Sequence, residues 1–123
     1  MRVPRKILAV DNEPSVTFSL QYVFAKPRYD LTCVDSGHAA LAKLDVDPDP
    51  YDVIIVDQKM PNLTGVELVE AIRKRRITSK VIVVSAHLSQ EVRAAYEQMG
   101  VKVMFGKPFD VEEIRAAIDS PVD

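Results

Sequence analysis

The run Val53-Ile54-Ile55-Val56, leading into Asp57 and closed by Pro61, limits the fold more than any other part of this chain. Consecutive β-branched residues without polar alternation suit a strand covered on both faces, and Pro61 cannot extend it because it lacks an N–H. Val81-Ile82-Val83-Val84 repeats the pattern and ends in Ser85. Strands buried on both faces belong to parallel sheets sandwiched by helices, whose ligands bind outside the carboxyl ends of the strands. Asp57 therefore stands where chemistry is done, although a lone acid at a strand end is also an ordinary turn residue. What converges on it decides between the two.

The rest of the chain supplies the remaining strands and the helices between them. Lys6 to Val10 reads as a first strand followed by Asp11-Asn12-Glu13, and Pro14 opens a helix bearing Val16, Leu20, Val23 and Phe24, ended by Pro27. Tyr29 to Val34 is a second strand, and Ser36-Gly37 starts a helix with Ala40, Leu41 and Leu44 that leaves through Pro48-Asp49-Pro50. After the central strand, Gly65, Leu68, Val69 and Ile72 recur at helical spacing up to Arg73-Lys74-Arg75-Arg76, a basic group read as a solvated helix end offsetting the helix dipole. Ser89 caps a helix with Val92, Ala95, Tyr96 and Met99 on one side, terminated by Gly100. Val101 to Phe105 reads as the last strand and Gly106 to Phe109 as a turn. Asp110 with Glu113 then forms a capping box for a helix with Val111, Ile114 and Ile118, stopped by Pro121. Five strands alternating with five helices, without a hairpin signal, predict a doubly wound α/β fold with a five-stranded parallel sheet and helices on both faces.

Length and composition narrow the function classes. The 123 residues, 47% hydrophobic, fit one domain spanning residues 1–123 with its core at about 5–119. Against 18 Asp and Glu stand 16 Lys and Arg, and a net charge of −2 gives no electrostatic reason to expect nucleic acid or a membrane surface as a direct partner. No membrane-length apolar run and no signal-peptide core is visible, so a cytoplasmic location is expected. The single cysteine, Cys33, cannot form an internal disulfide and reads as a buried structural thiol.

The polar residues that follow strands are Asp11, Asn12 and Glu13, then Asp57, Ser85 and Lys107, and a parallel sheet brings them to one edge. Clustered carboxylates repel unless positive charge lies among them, and Lys107 and a divalent ion both supply it. Oxygen ligands without His or Cys suit a hard cation such as Mg²⁺ or Mn²⁺. An acid beside such an ion, a hydroxyl and a lysine has the parts for phosphoryl transfer to Asp57, with Ser85 and Lys107 holding the phosphoryl oxygens. As a charge at a solvated edge, Lys107 is expected to matter little for stability.

With Leu8-Ala9-Val10-Asp11-Asn12-Glu13-Pro14, Val56-Asp57-Gln58-Lys59-Met60-Pro61, Gly65, Ser85-Ala86, Gly100 and Lys107-Pro108-Phe109 in place, the chain resembles the receiver domains of bacterial two-component response regulators over nearly all of residues 5–119. The resemblance implies the flavodoxin-like (βα)5 fold, with Asp57 as the acceptor of a phosphoryl group from a sensor histidine kinase or phosphotransfer protein. It implies Mg²⁺ held by Asp11, Asn12, Asp57 and the Lys59 carbonyl, phosphoryl contacts from Ser85 and Lys107, and a cis Lys107–Pro108 peptide. Such a domain is a signalling switch and not a metabolic enzyme. Its output is an effector domain or downstream protein, and two copies pair through the last helix-strand-helix face.

Two positions depart from the family pattern. Asn12 replaces the usual acid and offers an amide oxygen without charge, while Met104 stands where Tyr or Phe is more frequent, so that the switch formed with Ser85 reads out differently. Lys59 and His87 flank the pocket by the family's layout and either tune dephosphorylation or are solvated surface residues. Asn12 and Met104 favour an alternative, a pseudo-receiver that binds a partner without phosphorylation, whereas Asp57, Ser85 and Lys107 argue for the switch. A flavin or nucleotide enzyme on the same architecture lacks a Gly-rich phosphate loop, and Asp11 and Glu13 would repel phosphate there.

Overall fold

A computed structural model describes residues 3–47 and 50–120. Its elements alternate along the chain: β1 Arg5–Val10, α1 Pro14–Val23, β2 Tyr29–Val34, α2 Gly37–Val46, β3 Val53–Val56, α3 Gly65–Lys74, β4 Lys80–Ser85, α4 Gln90–Gln98, β5 Val103–Gly106 and α5 Val111–Asp119. All strand pairs are parallel, in the order β2-β1-β3-β4-β5. The order reverses between β1 and β3, so the crevice at their carboxyl ends is the switch point where open α/β sheets bind ligands. Val10 pairs with Val56, which sets Asp11 beside Asp57, and Asp57 N–H donates to the Val10 carbonyl at 3.0 Å.

Two apolar layers hold the sheet. On one face, Leu8, Val10, Ile54 and Val56 pack with Leu68, Val69, Ile72 and Tyr96; on the other, Ile7, Ala9, Ile55 and Val84 pack with Leu20, Phe24, Ile114 and Ile118. Alternate residues of one strand face opposite layers, which is why β3 and the Ile7–Val10 part of β1 contain no polar position.

Helix starts follow the sequence closely. Pro14 occupies the first turn of α1; Ser36 accepts from Ala39 N–H at 3.1 Å and Ser89 from Val92 N–H at 3.1 Å. At α5 the box is one-sided: Asp110 accepts from Glu113 N–H at 3.0 Å, and no return bond from the Glu113 carboxylate is present among the described residues. The reciprocal box lies at α3, where Thr64 accepts from Glu67 N–H and Glu67 accepts from Thr64 N–H.

Elsewhere the elements shift. The last strand begins at Val103 and takes in Gly106, because Val101 N–H closes back on the Tyr96 carbonyl at 3.0 Å and cannot pair with β4. Helix α1 ends at Val23, several residues before Pro27, and both Lys26–Pro27 and Lys107–Pro108 are cis. Cys33 is only half-buried, since β2 is an edge strand; it packs against the α1/α5 layer, and burial pushes its thiol pKa up. The basic group that ends α3 is not wholly solvated. Arg73 donates to the carbonyls of Met99, Ile77 and Ser79 at 3.0–3.1 Å, and Arg75 pairs with Asp45 at 2.8 Å. Pro48, Asp49 and Pro121 lie outside the described residues.

Candidate functional site

Asp11, Asp57, Ser85 and Lys107 each follow or end a strand, and the parallel sheet brings them to one edge. Ser85 is the last residue of β4 and is buried, as are Asp11 and Asp57. A cleft of about 500 Å³ opens over Asp57, Ser85 and Lys107, lined also by Asn12, Lys59, His87 and Ala86. Asn12 is exposed at its rim. Met104 does not line this cleft; it packs, partly buried, on the layer that holds Leu68 and Tyr96.

Lys107 is the centre of the charge arrangement. Its Nζ lies 2.9 Å from Asp11, 2.7 Å from Glu13 and 3.4 Å from Asp57, and its side chain is 10% exposed. The solvated-edge expectation is therefore wrong: the β5–α5 turn folds the lysine back over the strand ends, where carboxylates from the two central strands draw it in. Burial alone would lower the Lys107 pKa, but the bonds to Glu13 and Asp11 and the charge of Asp57 outweigh it and raise the pKa above that of an ordinary lysine. For Asp11, burial dominates and raises the carboxyl pKa, against the opposing pull of Glu13 N–H and Lys107.

Local backbone geometry explains how the acids are aimed. Glu13 N–H donates to Asp11 Oδ1 at 2.8 Å, a turn that points the Asp11 carboxylate inward. Glu13 sits at the N-cap of α1 yet makes no side-chain cap, and its carboxylate reaches Lys107 instead. Carboxylate oxygens of Asp11, Glu13 and Asp57 lie within 4.8 Å of one another, close enough to share a cation. Three acids facing one lysine leave two negative charges in excess, the charge a divalent ion neutralises. Glu13 was among the strand-end acids expected to converge here, but not in the ligand set of Asp11, Asn12, Asp57 and the Lys59 carbonyl.

Gln58 and Tyr96 also escaped the sequence reading. Tyr96, in α4, is fully buried and hydrogen-bonded through its hydroxyl to the Gln58 side-chain oxygen. Burial, and then the charge of Asp57, pushes its phenol pKa far up. Nothing in the helical spacing of Tyr96 separates it from an ordinary core aromatic.

A parallel sheet in this strand order, with acids after β1 and β3 and a lysine after β5, is a doubly wound α/β domain with a charged cleft at its switch point. The chain belongs to the response regulator receiver domain family, whose model matches residues 7–119. It is 29% identical over 113 residues to sporulation initiation phosphotransferase F of Bacillus subtilis, covering 92% of this chain and 90% of that protein. It is 27% identical over 114 residues to the alkaline phosphatase synthesis transcriptional regulatory protein PhoP of Bacillus subtilis, covering 93% of this chain but 47% of that protein. The chain thus spans about half the length of this longer relative. Among solved structures, the chemotaxis protein CheY4 of Vibrio cholerae superposes with a TM-score of 0.84 at 27% identity, over 94% of this chain and 96% of that one. The receiver domain of the Francisella response regulator 1452 gives 0.83 at 29% identity, over 94% and 93%. The five parallel strands and five helices are those of such CheY-like, flavodoxin-like domains.

Proposed function

We propose that Asp57 is the phosphoacceptor of a magnesium-dependent switch. The observation that carries this reading is Lys107, held almost out of solvent between Asp57 and two further carboxylates. An Asp57 carboxylate oxygen attacks the phosphorus of a phosphohistidine on a histidine kinase or phosphotransfer protein. The P–O bond forms as the P–N bond breaks, and the released imidazole is protonated from solvent. Lys107 and the Ser85 hydroxyl take the phosphoryl oxygens, and Lys107 loosens from Asp11 and Glu13 as it does so. Hydrolysis reverses the state when water attacks the same phosphorus and the Asp57 oxygen leaves. Lys59 and His87, at the cleft wall, are placed to tune that water's approach.

The donor set fits a hard divalent cation: Asp11, Asp57, the Asn12 amide oxygen and the Lys59 carbonyl would hold Mg²⁺ or Mn²⁺, with Glu13 nearby. Such an ion supplies positive charge against the phosphoryl oxygens. The donor protein must cover the cleft mouth, because Asp57 is 3% exposed. Beside that mouth, a groove of about 900 Å³ shares Glu13, Ala86 and Lys107 with the cleft and presents the exposed apolar side chains Phe18, Tyr22 and Val111. A phosphodonor protein would rest there. The output is an effector domain or downstream protein, with pairing of two copies through α4, β5 and α5. No helix among the described residues is long and apolar enough to cross a membrane, and we place the protein in the cytoplasm with its kinase's catalytic domain.

Incubating the protein with Mg²⁺ and a small phosphodonor tests the reading. A gain of about 80 Da is expected, abolished by chelation and by Asp57→Asn. No gain in the wild type would favour the pseudo-receiver, a binding module that works without phosphorylation.

A further inference from the structure

The residue after Asp57 is tied to two helices at once. The Gln58 side-chain oxygen accepts from Val66 N–H in the first turn of α3 at 3.0 Å and from the hydroxyl of Tyr96 in the last turn of α4. The Gln58 carbonyl accepts from Gly65 N–H at 3.0 Å. A Cβ at position 65 would run into the Tyr96 hydroxyl and lie 2.6 Å from the Asp57 carbonyl oxygen, so only glycine lets these groups meet. The peptide unit that carries the Asp57 side chain into the cleft is thus fastened, on its other side, to α3 and α4.

This fastening has a direction. A phosphoryl group on Asp57 adds negative charge and draws Lys107 from its present partners, so the strand-end segment from Asp57 to Gln58 feels the change first. Tyr96 is fully buried in the layer that also contacts Met104 and Met99. Tyrosine has two side-chain torsions, fewer than a methionine, and a buried ring cannot swing freely, so a displacement at its hydroxyl is passed to the helix that carries it. We infer that the Gln58–Tyr96 hydrogen bond is the connection through which the state of Asp57 reaches α4, with Tyr96 as a positioning residue. The inference rests on the reading of Asp57 as the phosphoacceptor.

A buried phenol needs a partner for stability alone, so the test must read more than stability. Amide hydrogen exchange of residues 90–98 is followed in the full chain before and after treatment with Mg²⁺ and a small phosphodonor, with intact mass recorded on the same samples. In the wild type, mass gain and a changed exchange pattern in α4 are expected together. Tyr96→Phe should gain the same mass and lose the α4 change. Gln58→Met, which leaves Tyr96 in place and removes its acceptor, should lose it as well, and serves alone if Tyr96→Phe does not fold. A wild-type-sized α4 change in these variants, with only a lower unfolding midpoint, would mean a purely structural hydroxyl and would overturn the inference while leaving Asp57 as acceptor. A wild type that gains mass without any α4 change would overturn it too. No mass gain in the wild type would overturn both readings.

Discussion

At the amino-terminal edge of the sheet Lys6 meets Asp47 at 3.0 Å, and Asp47 also accepts from the Tyr51 hydroxyl, whereas at the carboxyl-terminal edge Lys107 faces three carboxylates. The amino-terminal edge continues in the same matched way. Arg28 and the Tyr29 hydroxyl share Asp119, while Arg5 and Lys80 donate to the carbonyls of Ile118, Ser120 and Ala117 at the end of α5. Charges there close helix ends and satisfy backbone acceptors. At the other edge two negative charges are left over, on acids placed closely enough to hold a cation. The comparison separates an edge whose charges are matched from one that carries excess negative charge.

Lys107→Ala breaks the comparison most severely. It leaves the buried Asp11 and Asp57 without their cation, and removing one partner of a buried ion pair costs about 3 kcal/mol or more. Denaturant unfolding should show that loss in metal-free buffer, with Mg²⁺ recovering part of it by supplying the missing positive charge. Unfolding unchanged from the wild type would mean that the lysine is solvated after all.

Arg73→Ala is the matched test at the opposite edge. Three carbonyls, those of Met99, Ile77 and Ser79, lose a charged donor, and a loss of about 2 kcal/mol is expected. Here Mg²⁺ should recover nothing, because no acid is left unpaired. A Mg²⁺-dependent rescue of this variant would show that the two edges are not independent.

The sequence makes one of these edges far more legible than the other. Asp11, Asp57, Ser85 and Lys107 can be placed together because each follows an apolar run, and the parallel topology is forced by the lack of alternation in β3 and β4. The amino-terminal pairs have no such marker: Arg73 joins α3 to residues after α4 and before β4, and only the folded chain brings those carbonyls within its reach. The same limit hid Gln58–Tyr96, a contact across 38 positions between a loop and a helix. It also misjudged Cys33 and Lys107, since half-burial at an edge strand and burial by a folded-back turn depend on strand order and turn path. The Thr64 box shows a different failure. Its Thr-x-x-Glu spacing is visible, but Asp110 and Glu113 offer the same signal and close on one side only.

Asn12→Asp should have the smallest effect and the sharpest meaning. Position 12 is exposed at the rim of the cleft that holds Asp57 and Lys59, so a new carboxylate there keeps its hydration when no metal is present. It nevertheless adds a fourth acid to Asp11, Glu13 and Asp57, and stability in metal-free buffer should stay level or fall slightly. With Mg²⁺ the sign reverses. A carboxylate is a stronger ligand than an amide for a hard cation, and a tenfold tighter site adds about 1.4 kcal/mol of stabilisation at saturating metal. Thermal unfolding of both proteins across a Mg²⁺ titration should therefore give curves that start together and diverge. Parallel curves would remove Asn12 from the proposed ligand set while leaving the acids of β1 and β3 in it. A flat response in both would count against the excess negative charge of this edge as a metal site at all.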